Sequence, residues 1–121
     1  MNTTILTKSV KLTPALDQYT RYKVAKLAKF IDESTGIALA EIDLGKTTDH
    51  HRRGEIFRAE INLQIPGQNL LRAEATHYDL YVAIVLARDE LIRQVKSANS
   101  KQLTLTRKGA RKLKDRLRFW R

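Results

Sequence analysis

EIFRAEINLQIPGQNLLRAEA, running from Glu55 to Ala75, has the pattern of a β-hairpin. Phe57, Ala59, Ile61, Leu63 and Ile65 alternate with Arg58, Glu60, Asn62 and Gln64, the two-residue period of a strand with one apolar and one wet face. Pro66-Gly67-Gln68-Asn69 has turn composition, and Leu70 to Ala75 reads as the returning strand. An apolar sheet face must be covered, so the chain on either side has to supply the covering elements.

Upstream, Ala38, Ala40, Ile42 and Leu44 alternate imperfectly with Leu39, Glu41, Asp43 and Gly45, which predicts a strand over Ile37 to Lys46. The polar stretch Thr47 to Gly54 then reads as a loop. Further back, residues 3–7 (TTILT) read as a first strand. Thr13-Pro14 opens a helix: the Thr13 hydroxyl can accept from a first-turn N–H, and Pro14 suits a position that needs no donor. Leu16, Thr20, Val24, Leu27 and Ile31 fall on one face of that helix. Asp32 to Gly36 has the composition of its exit, with Gly36 as the left-handed residue.

Downstream, Thr76-x-x-Asp79 has the form of a capping box that starts a second helix near Thr76, with Leu80, Ile84, Ala87, Leu91 and Val95 as its buried stripe. Arg88 lies inside that stripe by angle. Ser97-Ala98-Asn99-Ser100 reads as a break and linker. Beyond it Leu103 to Thr106 can pair as a strand, and Ala110, Leu113, Leu117 and Trp120 recur at the spacing of a short basic amphipathic helix. The order β-α-β-β-β-α predicts an α+β, two-layer βαβββα domain over residues 1–96: a four-stranded sheet with two helices on one face. Residues 97–121 form a basic C-terminal extension.

Composition narrows the function. At 121 residues and 42% apolar content the chain suits one modest core. No apolar run approaches the 18 residues of a membrane span, and Met1 to Val10 lacks the pattern of a signal peptide. Cysteine is absent, which removes disulfides and thiolate chemistry and fits a reducing, cytoplasmic setting. The net charge of +10 is unevenly placed. Residues 1–96 carry 14 Lys and Arg against 12 Asp and Glu, whereas residues 97–121 carry nine against Asp115 alone. A dense cationic block of this kind is typical of arms that meet polyanions.

Candidate phosphate contacts follow from position. Lys23, Lys26 and Lys29 run along one edge of the first helix, close to Tyr19, Tyr22 and Phe30, while Arg93 and Lys96 lie outside the apolar stripe of the second. Two helices packed side by side would let them frame one basic surface able to release RNA counterions. Lysines beside an apolar face also arise simply by snorkelling. Arg88 either snorkels past the core edge or reaches RNA. In the extension, Arg107, Lys108 and Arg111 lead a series too dense to cancel, and Phe119 and Trp120 can stack on bases or pack back on the domain. An anionic membrane surface suits the extension less well, because it holds few large apolar residues.

Catalysis and metal binding find little support. The pair His50-His51 with Asp49 and His77 is the nearest approach to a ligand set, and adjacent histidines point apart on most backbones. There is no Gly-rich phosphate loop, nucleophile elbow or spaced acid pair. No metal, cofactor or small-molecule substrate is therefore expected.

Several stretches resemble the ribosome hibernation-promoting factor family, which includes the ribosome-associated translation inhibitors. Val10-Lys11-Leu12-Thr13-Pro14-Ala15-Leu16 with Lys23-x-x-Lys26-Leu27-x-x-Phe30 is similar to its first helix. Ile65-Pro66-Gly67 with Leu71-Arg72-Ala73-Glu74-Ala75 is similar to its hairpin. Asp79-Leu80-Tyr81-x-Ala83-Ile84 and Leu91-x-Arg93-Gln94-Val95 are similar to its second helix. The resemblance spans roughly residues 3–96 and is to the short forms. It implies a βαβββα fold, binding to ribosomal RNA in the decoding groove of the small ribosomal subunit, exclusion of messenger and transfer RNA, and silencing of idle ribosomes. Val85, Arg88 and Glu90 depart from the family, where Asp, an apolar residue and Lys are usual. A general double-stranded RNA-binding module, recognising duplex by shape, is the competing expectation. A small enzyme or metal protein built on the histidine loop is a third.

Overall fold

A computed structural model of the chain describes residues 1–47 and 54–118, with side chains described through Ser100. Strand β1 (Asn2–Lys8) leads to helix α1 (Pro14–Val24), which tightens into a 3₁₀ segment over Ala25–Phe30. Strands β2 (Leu39–Lys46), β3 (Phe57–Gln64) and β4 (Leu71–His77) follow, and helix α2 (Leu80–Arg118) ends the described chain. The sheet order is β1-β2-β3-β4. β1 and β2 are parallel, the pairing that requires a crossover such as α1, and the other two pairs are antiparallel. The architecture is the expected βαβββα arrangement.

Register sorts the side chains. Ile5, Ile42, Ile61 and Ala73 lie across the sheet in one row, and Thr7, Leu44, Ala59 and Ala75 in another, on the face under the helices. Ile42, Leu44, Ile61 and Leu63 are fully buried there against Val24, Leu27, Ile84 and Leu91. The hairpin turn is pinned by the Gln68 N–H donating to the Ile65 carbonyl at 3.0 Å, with Pro66 and then Gly67 at φ 79° in the two central positions. This is the type II geometry for which glycine at the third position is favoured.

Thr13 caps α1 as its position predicts, its Oγ1 accepting from the Leu16 N–H at 3.1 Å. Four local expectations fail. Regular α-geometry stops at Val24, so Ile31, placed on the helix face by periodicity, is half-buried in extended backbone. The Thr76 capping box does not form, because β4 continues through Thr76 and His77 to pair with Arg58 and Phe57. Asp79 itself caps α2, its Oδ1 accepting from the Tyr81 N–H at 2.9 Å and its carbonyl from the Ala83 N–H at 3.0 Å. Ser97 to Ser100 is no break, and Leu103 to Thr106 is no strand: both are helical within α2. Nothing from Leu80 to Lys108 is glycine or proline, so polar residues alone stand against continuation, and they cost only tenths of a kcal/mol each (roughly). Asn99 in addition donates to the Phe30 carbonyl at 3.2 Å, which ties the helix to the 3₁₀ segment.

Tyr19 meets Tyr81 near the start of α2, and Phe30 meets Lys96 and Asn99 further along it. The two helices therefore run in the same direction over the sheet, side by side.

Candidate nucleic-acid interface

The helix layer carries lysines without acidic partners among the described residues. Lys23 lies with its Nζ 5.5 Å from the centre of the Tyr19 ring and 5.8 Å from that of Tyr22. Lys96 Nζ lies 4.9 Å from the Phe30 ring on the other helix. Such contacts hold an ammonium in place for roughly 0.5–1 kcal/mol at exposed sites without neutralising it. Lys26 and Lys29 are exposed on the 3₁₀ segment and form no ion pair with any described residue. Tyr19 locks the helices together, stacked edge-on against Tyr81 at 4.6 Å and donating its hydroxyl to the Tyr81 carbonyl at 3.2 Å. The layer thus presents Lys23, Lys26, Lys29 and Lys96 around a seam edged by aromatic rings.

The arginines are held differently. Arg21 pairs with Asp17 at 3.1 Å and also donates to the Thr3 carbonyl at 3.0 Å. Arg93 is exposed but pairs with Glu90 one turn back, so the acid standing where lysine is usual offsets a cation that sequence position offers to RNA. Arg88 keeps only 11% of its side chain accessible and pairs with Asp89 at 2.8 Å. Its Nη1 is buried without a hydrogen-bond partner among the described residues.

On the opposite, open face of the sheet, Arg58, Glu60, Arg72 and Glu74 form one network across β3 and β4. Glu60, only 8% exposed, accepts from Arg58, from Asn62 at 3.1 Å and from Arg72 at 3.2 Å. Burial works to raise its pKa, but the hydrogen bonds from Asn62 and Arg58 and the two guanidinium charges outweigh it and hold the carboxyl below the usual glutamate range. Glu74 is held low chiefly by its hydrogen bond from Arg58. With Glu41 and Asp43 added, this face carries more carboxylates than guanidinium groups and offers a polyanion little. Electrostatics favour the helix side.

The structure places Lys23, Lys26, Lys29 and Lys96 on the helix layer. Sequence position did not reveal that Arg88 and Arg93 are paired. It also missed a groove of about 560 Å³ at the N-terminal end of α2, bordered by Lys11, Phe57, Tyr78, Asp79 and Tyr81. The signal available was the pair of tyrosines flanking the helix start. Arg107, Lys108 and Arg111 fall on the helical backbone of α2, and their side chains lie outside the described residues, as do Phe119 and Trp120. The His50-His51 loop also lies outside them. Among the described residues no group of three His, Cys, Asp or Glu is placed to hold a metal, and no helix is long and apolar enough to cross a membrane.

This fold and this helix layer have known counterparts. Residues 3–103 match the family described as Sigma 54 modulation protein / S30EA ribosomal protein. The chain belongs to that family. Among its relatives is the ribosome hibernation promoting factor of Pseudomonas putida, 30% identical over 110 residues that cover 91% of this chain and 98% of that protein. The ribosome hibernation promotion factor of Deinococcus radiodurans is 28% identical over 102 residues, 84% of this chain. The chain spans about half the length of that relative and of the Bacillus subtilis one. Among solved structures, the N-terminal domain of Thermus thermophilus Protein Y superposes with a TM-score of 0.65 at 32% identity, covering 80% of this chain and 98% of that one. A ribosomal subunit interface protein from Coxiella burnetii, at 20% identity and a TM-score of 0.64 over 83% of this chain and 99% of that one, shares the fold. The segment matched to the S30EA family takes in all four helix-layer lysines and ends within α2, before Arg107.

Proposed function

We propose that this protein is a ribosome hibernation factor that binds ribosomal RNA in the decoding groove of the small subunit, excludes messenger and transfer RNA, and silences idle ribosomes in the cytoplasm. The observation that carries this reading is the division of charge. Among the described residues, Lys23, Lys26, Lys29 and Lys96 have no acidic partner, whereas the sheet-face arginines are neutralised within the fold. A lysine ridge braced by aromatic rings suits phosphates, where each neutralised phosphate releases counterions. Its relatives' names, which speak of ribosome hibernation, point the same way. The mechanism is steric: a domain lying in the groove leaves no path for the RNAs that initiation must place there. Nothing in it calls for catalysis, a cofactor or a small-molecule substrate. Arg107, Lys108 and Arg111 would add phosphate contacts from the extension, and Arg88 and Arg93 would join only by leaving Asp89 and Glu90.

The test is co-sedimentation with idle ribosomes through sucrose gradients at low and moderate salt, with messenger and initiator transfer RNA as competitors. The parent should travel with the small subunit and be displaced by the competitors. The Lys23→Ala/Lys26→Ala/Lys29→Ala variant should bind more weakly and less steeply with salt. A variant that binds as tightly as the parent would overturn the ridge assignment. A parent that stays at the top of the gradient while binding free duplex would identify a general double-stranded RNA-binding module instead.

A further inference from the structure

The groove at the start of α2 has no part in the steric reading above. Its floor is Phe57, half-buried on β3, and its walls are Tyr78 and Tyr81, which are 56% and 40% exposed. Large rings left this open at the mouth of a groove are unusual for side chains whose only role is packing. Charge is distributed unevenly along it. Lys11 stands at the rim, exposed and without an ion-pair partner among the described residues. Asp79 lies in the lining with one carboxylate oxygen committed to the Tyr81 N–H. The Asp79 carboxylate repels a phosphate and accepts from an amino or imino group, whereas the Lys11 ammonium attracts a phosphate. The groove also continues the lysine ridge, because Tyr81 abuts Tyr19 at 4.6 Å and Lys23 lies against the Tyr19 ring.

We propose that this groove is a binding site for one unstacked nucleobase of a single-stranded RNA segment, the base entering between Tyr78, Tyr81 and Phe57 and its phosphate resting at Lys11. The volume of about 560 Å³ lies within the range of small-ligand pockets and admits a nucleotide. Stacking on aromatic side chains tolerates any base, and the Asp79 carboxylate can accept an N–H, which every base presents on its pairing edge. The ridge then follows the backbone while the groove holds the strand's end in register. This inference rests on the RNA-binding reading proposed above.

The experiment is an NMR titration of the full chain with a single-stranded hexaribonucleotide and with an abasic strand of the same length and charge. The base-bearing strand should shift the Tyr78, Tyr81 and Phe57 ring resonances, and the abasic strand should shift only the lysine ridge. Tyr78→Ala removes an exposed ring outside the core, and should lower affinity for the base-bearing strand about tenfold, to the level of the abasic one. Its affinity for the abasic strand should not change. Ridge shifts without ring shifts overturn the groove site and leave RNA binding standing. No shift anywhere with either strand overturns both. Ring resonances that move with protein concentration before RNA is added assign the groove to a second copy of this chain and also overturn the proposal.

Discussion

Arg58 reaches both Glu60 and Glu74 across the open sheet face, and removing it takes one partner from a carboxylate that is nearly buried. Asn62 and Arg72 still serve Glu60, so Arg58→Met should cost about 1 kcal/mol at neutral pH, at the low end for a buried group that loses a partner. Glu60 and Glu74 have folded pKa values below the ordinary 4.5, so they bind protons less readily in the fold than in the unfolded chain. Their contribution is therefore present above pH 4.5 and is lost as pH falls through the depressed folded values. Urea unfolding of parent and variant should differ at pH 7 and converge in acid, once the pH lies below those depressed folded values. A gap that persists in acid would show that Arg58 acts through packing of its stem rather than through its charge. The carboxylates were visible in sequence as the wet side of the hairpin. Their coupling was not, because cross-strand partners depend on a register that no local pattern states. Gly45 is a similar case. A Cβ there would stand 2.7 Å from the Lys8 carbonyl of β1, so Gly45→Ala must push two paired backbones apart. It should lower stability by about 1–3 kcal/mol, read from the thermal midpoint. Nothing near position 45 in the sequence announces this contact, since β1 is more than thirty residues away.

Elements with a strong period were legible and their ends were not. The alternation over β3 and the apolar stripe of α2 predicted the right faces, because burial rewards a sustained pattern more than any one residue opposes it. Boundaries turn on single contacts. Asp79 rather than Thr76 caps α2 because strand pairing holds Thr76 and His77 in extended backbone. Ser97 to Ser100 stays helical because a turn already formed extends at little cost, whatever polar residue comes next. This continuity has a measurable result. Residues 101–118 supply 18 of the 39 helical residues of α2. Truncation after Ser100 should remove about a third of the far-ultraviolet circular dichroism signal at 222 nm, summed over the chain. A cut at Ser97 would also delete Asn99 and its hydrogen bond to Phe30, so it mixes loss of the extension with damage to the domain. If truncation after Ser100 leaves the summed signal unchanged, the extension is not helical in solution.

For the whole molecule, the question is how two cationic bodies divide the work. The domain balances its charges within two units, yet it displays lysines on one layer, while the extension holds nine cations against Asp115. A continuous α2 places eight of those cations on a helix that rises about 27 Å beyond Ser100. If both domain and extension bind RNA, as proposed, they meet it at separate places, and their contributions should separate in salt. The slope of log affinity against log salt counts phosphate contacts, each worth roughly 0.7–0.9 of a unit. If the domain positions the protein and the extension adds affinity, truncation after Ser100 should flatten the slope by several units. The remaining slope should stay sensitive to Lys23, Lys26 and Lys29, and competition by messenger and transfer RNA should survive. Filter binding of parent, truncated and triple-lysine forms to isolated small subunits over 50–300 mM salt (about the range where such contacts are graded) measures all three slopes. If truncation abolishes competition while leaving the slope unchanged, the extension and not the domain occupies the RNA path, and the lysine ridge is a solvated helix face.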